Sequence, residues 1–218
     1  SPMGHGYINA TGVFPQAEDV IDETGKLIYD ILKNIPARRC ESKRKIYKQR
    51  GDSMERYSVV FSSSTGNTKL LADAIDEALP KENRDYFGEI TPEEPESEML
   101  YVGFWTDRGN ADKTALEFLQ RLKNKKVFLF GTAGFGGSED YFKKILANAE
   151  SALDGSNTVA GEFMCQGKMP QAVRERYMSM KAQPNPPANL DMLIENFDRA
   201  LSHPDAEDLE RLKKTVLK

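Results

Sequence analysis

The chain has little of the side-chain chemistry on which many enzymes rely. Its 218 residues include two cysteines, Cys40 and Cys165, and two histidines, His5 and His203. Neither histidine has a Cys or His neighbour at metal-ligand spacing, and the cysteines form no C-x-x-C pair. A Cys/His zinc or iron–sulfur centre is therefore not expected, nor is catalysis by a Ser–His or Cys–His pair. Any redox chemistry calls for a borrowed redox group. Both histidines are expected on exposed, flexible ends. No apolar run approaches the roughly 20 residues of a membrane span. Residues 1–15 lack the basic start and apolar core of a signal peptide. The expected location is the cytoplasm, with no membrane partner.

A strong basic balance is missing too. The formal charge is −4, and residues 1–53 hold nine of the 30 Lys/Arg and seven of the 34 Asp/Glu. The rest is mildly acidic, which argues against nucleic acid and suits docking onto a basic partner. At 39% hydrophobic and 29% charged, the composition is that of an ordinary soluble globular chain.

From Tyr57 onward apolar runs alternate with helical patterns. Strands are expected at Tyr57–Phe61, near Asp85–Ile90, and at Met99–Phe104, Val127–Gly131 and Thr158–Cys165. Helices are expected over Lys69–Leu79, Lys113–Lys123, Glu139–Ser151, Pro170–Met180 and Asn189–Leu201. Strands this uniformly apolar, separated by helices, predict a doubly wound five-stranded parallel sheet covered on both faces. The acidic stretch Thr91–Glu98 reads as a solvated connection. A last amphipathic helix, Pro204–Leu217, is expected to pack on the surface.

Residues 1–53 form an extra segment ahead of a domain over 54–203, with 204–218 as a terminal helix. Within the extra segment, Gln16–Asn34 reads as an amphipathic helix, with Val20, Leu27, Ile28 and Ile31 on one stripe. The basic stretch Arg38–Arg50 reads as a solvated linker, a docking surface being the alternative.

The most informative residues are Ser62, Ser63, Ser64, Thr65, Gly66, Asn67 and Thr68, between the first strand and its helix. That is the carboxyl edge of the sheet, where parallel α/β proteins place ligands. A run of hydroxyls with one glycine, at a helix N-terminus, suits a phosphate held by neutral hydrogen bonds. The loop has neither the glycine-lysine-serine/threonine ending of a Walker A loop nor a G-x-G-x-x-G fingerprint. The alternative is a serine-rich turn that only caps the helix.

Ser63–Thr68 resembles the [ST]-x-T-G-x-T phosphate loop of flavodoxins, with serine at Ser64, where threonine is common. The resemblance spans about Tyr57 to Leu201, loosely after Cys165. It implies FMN as cofactor, with its phosphate on Ser63–Thr68. It also implies that the flavin ring lies between the loops after the third and fourth strands. Those are Phe104–Asn110, with Trp105, Thr106, Asp107, Arg108 and Gly109, and Thr132–Tyr141, with Ala133, Gly134, Phe135, Gly136 and Gly137.

Trp105 is placed to stack on the ring, the alternative being a core tryptophan. Glycines in the second loop let backbone N–H groups approach. Phe135, or Tyr141, covers the other face or packs the next helix. By the same resemblance Gly109 allows a peptide flip toward the reduced ring, and an Arg108 aimed at the ring would favour two-electron transfer.

The leading expectation is a one-electron carrier, monomer or weak dimer, between a reductase donor and an acceptor enzyme. The alternatives are an FMN-dependent NAD(P)H oxidoreductase of quinone or flavin reductase type, and a non-redox flavodoxin-like regulatory domain.

Overall fold

Apolar, β-branched and aromatic runs become the three central strands of one sheet, where both faces are buried. The computed structural model describes residues 55–136 and 138–218. The extra segment, with its expected helix and basic stretch, lies outside the described residues, as does Gly137.

The strands are β1 (Tyr57–Phe61), β2 (Arg84–Glu89), β3 (Met99–Asp107), β4 (Asn110–Ala111), β5 (Lys126–Ala133) and β6 (Thr158–Gln166). The helices are α1 (Asn67–Ala78), α2 (Lys113–Arg121), α3 (Glu139–Glu150), α4 (Gln171–Lys181), α5 (Leu190–Ala200) and α6 (Ala206–Val216). The order across the sheet is β2-β1-β3-β5-β6, with every pairing parallel. The two-residue β4 pairs antiparallel with the end of β3. The chain thus reverses direction across the sheet at β1, and the crevice at that switch is where such folds bind ligands.

Residues alternate between two cores. Val60, Leu100, Val102, Phe104, Val127 and Leu129 join α2 and α3 on one face. Tyr57, Val59, Phe61, Tyr101, Phe128 and Phe130 join α1 and α6 on the other. Gly103 permits the second layer: a Cβ there would lie 2.4 Å from Phe130 Cζ and 2.8 Å from Phe61 Cβ.

Three expectations change. The terminal helix is not a surface appendage, since Leu212 of α6 is fully buried against α1 and β6. Its N-terminus carries a capping box between Asp205 and Asp208, and His203 Nδ1 lies 2.6 Å from Asp208 Oδ2. His203 is therefore half-buried and fixed rather than on a loose end. The acidic connection is tied down at its end: buried Ser97 bonds Ser58 at 2.7 Å and Asp85 at 2.6 Å.

Candidate functional site

The first strand ends at Phe61, and Ser62 N–H donates to Gly103 O at 2.9 Å as the chain leaves the sheet. The turn into α1 passes through Gly66, with φ of 86° in the left-handed region that glycine enters at little cost. Gly66 is also the N-cap and offers no side chain, while Ser63 Oγ, just upstream, accepts from Lys69 N–H at 3.4 Å. The first-turn N–H groups and the helix dipole face outward. Ser64, Thr65 and Gly66 are exposed at this tip.

Asn67 and Thr68 face inward, with Ser62 and Ser63 half-buried. Thr68 is 1% exposed, and its hydroxyl reaches both Phe104 O and Thr132 Oγ1 at 3.2 Å. It ties α1 to β3 and β5. Asn67 is 5% exposed; its Nδ2 donates to Thr65 Oγ1 at 2.9 Å and Lys168 O at 2.8 Å. Its Oδ1 is buried without a partner. Such an acceptor costs free energy unless something donates to it.

At the second loop the structure corrects the sequence reading. Phe104 through Asp107 are still strand, and Arg108 and Gly109 alone form the turn into β4. Both have positive φ, 49° and 82°, the geometry of a two-residue hairpin turn. Arg108 points to solvent and not toward the cavity, its side chain 94% exposed and 4.0 Å from Asp107. Gly109 O already accepts from Asn148 Nδ2 at 2.9 Å. The Phe104 side chain lies wholly in the core. Trp105 is half-buried, and Asp112 holds its backbone: Asp112 N–H donates to Trp105 O at 3.0 Å, and Asp112 Oδ2 accepts from Trp105 N–H at 3.4 Å. Asp112 caps α2 as well, accepting from Thr114 and Ala115. The Thr106 hydroxyl is buried without a partner.

A cavity of about 190 Å³ opens at this edge. Ser64, Thr65 and Asn67 line it from the first loop, Trp105 and Thr106 from β3, and Thr132, Ala133 and Gly134 from the end of β5. The expected phosphate and ring segments therefore converge. Ser62, Ser63, Gly66, Thr68, Phe104, Asp107, Arg108, Gly109, Phe135 and Gly136 do not line it. Phe135 stands 36% exposed to one side.

The fourth wall comes from Gly167, Lys168, Met169 and Pro170, which the sequence reading missed. These follow β6, and β6 neighbours β5, so this loop reaches the same edge. Gly167 N–H donates to Ala133 O, and Lys168 N–H to His203 O, both at 2.9 Å. Met169 packs on Gly134, where a Cβ would lie 2.6 Å from Met169 Cγ. Cys165 is buried at 1% exposure, and that burial pushes its thiol up.

The family model described as flavodoxin domain matches residues 58–217. A flavodoxin-like domain-containing protein BilS of Clostridium symbiosum is 39% identical over 172 residues, covering 71% of this chain and 90% of the relative. A protein of the same description from Clostridioides difficile is 30% identical over 155 residues, covering 69% and 88%. Among solved structures, oxidised Flavodoxin 2 from Bacillus cereus is similar with a TM-score of 0.47 and 16% identity, covering 73% and 93%. No helix among the described residues is long and apolar enough to cross a membrane.

Proposed function

The chain belongs to the flavodoxin family, whose cofactor is FMN, and we propose that it uses one bound FMN to move electrons between partner redox proteins. The observation that carries the reading is the convergence of a glycine-capped helix N-terminus, Trp105 and the Gly134 backbone on one cavity.

The residues present fit this group. The exposed tip Ser64–Gly66 and the N–H groups of α1 supply neutral donors and a positive dipole end for the phosphate. Two buried polar atoms without partners, Asn67 Oδ1 and Thr106 Oγ1, suit the hydroxyl-bearing chain between phosphate and ring. Trp105 offers a flat apolar surface for the ring, and Met169 lies across the cavity on Gly134. Bound FMN supplies reversible one- and two-electron chemistry.

The chain's own part is to bind, orient and exclude water; among the described residues no titratable side chain lines the cavity except Lys168. The cavity is smaller than the roughly 300 Å³ at which pockets begin to enclose a whole ligand. Part of the cofactor then stays at the surface, where a partner protein can exchange electrons with it.

The test is the visible spectrum of protein purified without added cofactor, followed through stepwise chemical reduction. A flavin spectrum that reduces in two separate one-electron steps supports the carrier. Reduction in one two-electron step, with steady NAD(P)H oxidation by the protein alone, would make it a reductase instead. A protein still colourless after incubation with FMN would overturn the reading.

A further inference from the structure

Two side-chain amides outside the cavity hold the loop that forms one of its walls. Asn196 of α5 is 3% exposed, although Met192, one turn earlier, is 54% exposed. Asn196 Nδ2 donates to Gly134 O at 3.0 Å, and its Oδ1 accepts from Gly136 N–H at 3.4 Å. Gln166, the last residue of β6, donates through Nε2 to Gly134 O at 3.0 Å and to Asn196 Oδ1 at 3.1 Å. The fit is tight: a Cβ on Gly136 would lie 2.4 Å from Gln166 Oε1.

An amide at a buried helix position is costly unless its polar atoms are matched. Here each polar atom of Asn196 is matched, and its partners are the Gly134–Gly136 loop and Gln166 alone. Packing α5 on the sheet would need only an apolar residue. What the amide adds is a fixed direction for the peptide groups of this loop. α5 belongs to the segment between β6 and α6, so the same segment supplies a cavity wall at Gly167–Pro170 and the latch behind the neighbouring wall.

We propose that Asn196, backed by Gln166, is a positioning residue that fixes the Gly134–Gly136 backbone against the flavin, setting both FMN affinity and reduction potential. The inference rests on the FMN reading above. A role confined to fixing α5 in place would alter the stability of the apoprotein and leave the cofactor's properties untouched.

The test uses the full chain and two shape-preserving variants. Asn196→Asp replaces the donor to Gly134 O with a carboxylate oxygen. Gln166→Met keeps the length of the side chain and removes its amide. FMN affinity is measured by flavin fluorescence, the potential by spectroelectrochemistry, and apoprotein stability by thermal melting. The expected result is FMN binding weakened about tenfold in Asn196→Asp, less in Gln166→Met, with a shifted potential in both. Folded variants with the wild-type affinity and potential overturn the proposal, whatever their melting temperatures. If Asn196→Asp does not fold, Gln166→Met decides by the same criterion. A wild-type protein that takes up no FMN refutes the functional reading itself, and this inference with it.

Discussion

Thr68 separates what holds the phosphate loop from what the loop holds. By family resemblance it belongs to the phosphate ligands, yet its hydroxyl lies behind the loop, 3.2 Å from both Phe104 O and Thr132 Oγ1. Thr68→Val keeps the shape and deletes the hydroxyl. Each hydrogen bond contributes about 1 kcal/mol net, so two lost bonds should cost the apoprotein about 2 kcal/mol. For a domain of this size that lowers the melting temperature by about 4 to 8 °C. FMN affinity should change by less than about threefold, because the cavity walls keep their donors. Ser64→Ala should do the reverse. Ser64 is exposed and lines the cavity, so its loss should move the melting temperature by no more than about 2 °C. FMN binding should weaken about five- to tenfold. The assay is a thermal melt of each apoprotein paired with an FMN fluorescence titration. A Thr68→Val protein that melts like the wild type but binds FMN tenfold more weakly would refute the reasoning and place that hydroxyl on the phosphate.

The other predictions concern the ring wall, the core and pH. Trp105→Ala should weaken FMN by at least about fivefold, from the roughly 1 kcal/mol that stacking adds to buried area, as read by the same titration. Gly103→Ala should destabilise the fold by about 1 to 3 kcal/mol in denaturant unfolding, since its Cβ would press into Phe130 and Phe61. Burial, with the nearby Tyr57 and Glu55, pushes the Tyr101 phenol up to about 12. A folded value above the ordinary 10 stabilises the fold fully below pH 10, a gain lost as pH rises toward 12. Absorbance at the phenolate band should show Tyr101 titrating late, beside Tyr57 and Tyr141, which burial also pushes up, and all three should titrate normally once the protein is unfolded.

The alternation of strands and helices was legible because the central strands β1, β3 and β5 are apolar on both faces and bounded by polar or glycine-bearing turns, whereas the polar edge strand β2 left a weaker signal. The loop Ser62–Thr68 was legible for the same local reason, its position after the first strand. What escaped depended on distance in sequence. Phe-Trp-Thr-Asp reads as a loop beside Arg-Gly, yet pairing with Asn110–Ala111 carries the strand through Asp107. Phe135, read as covering the ring or packing the next helix, does not line the cavity, whereas β6 lies next to β5 and brings Met169 to it. Nothing near Asn196 in the sequence marks its partners, Gln166 lying 30 residues earlier and Gly136 and Gly134 lying 60 and 62 earlier. Asp112 signals a helix cap by its type, but its grip on Trp105 appears only once the hairpin folds back.

One backbone unit joins the two ends of the domain. Lys168 receives the Asn67 amide on its carbonyl and gives its N–H to His203, just before α6. The Asn67–Lys168 bond spans 101 residues, and the docking of the last helix holds Lys168 in place from the far side. The binding edge is therefore assembled from the start and the finish of the domain, and it is complete only when the final helix has been made and seated. A chain ended before α6 would retain all five parallel strands and the bonds of this wall to Asn67 and Ala133, but His203, which accepts from Lys168, would lose the Asp208 contact that fixes it.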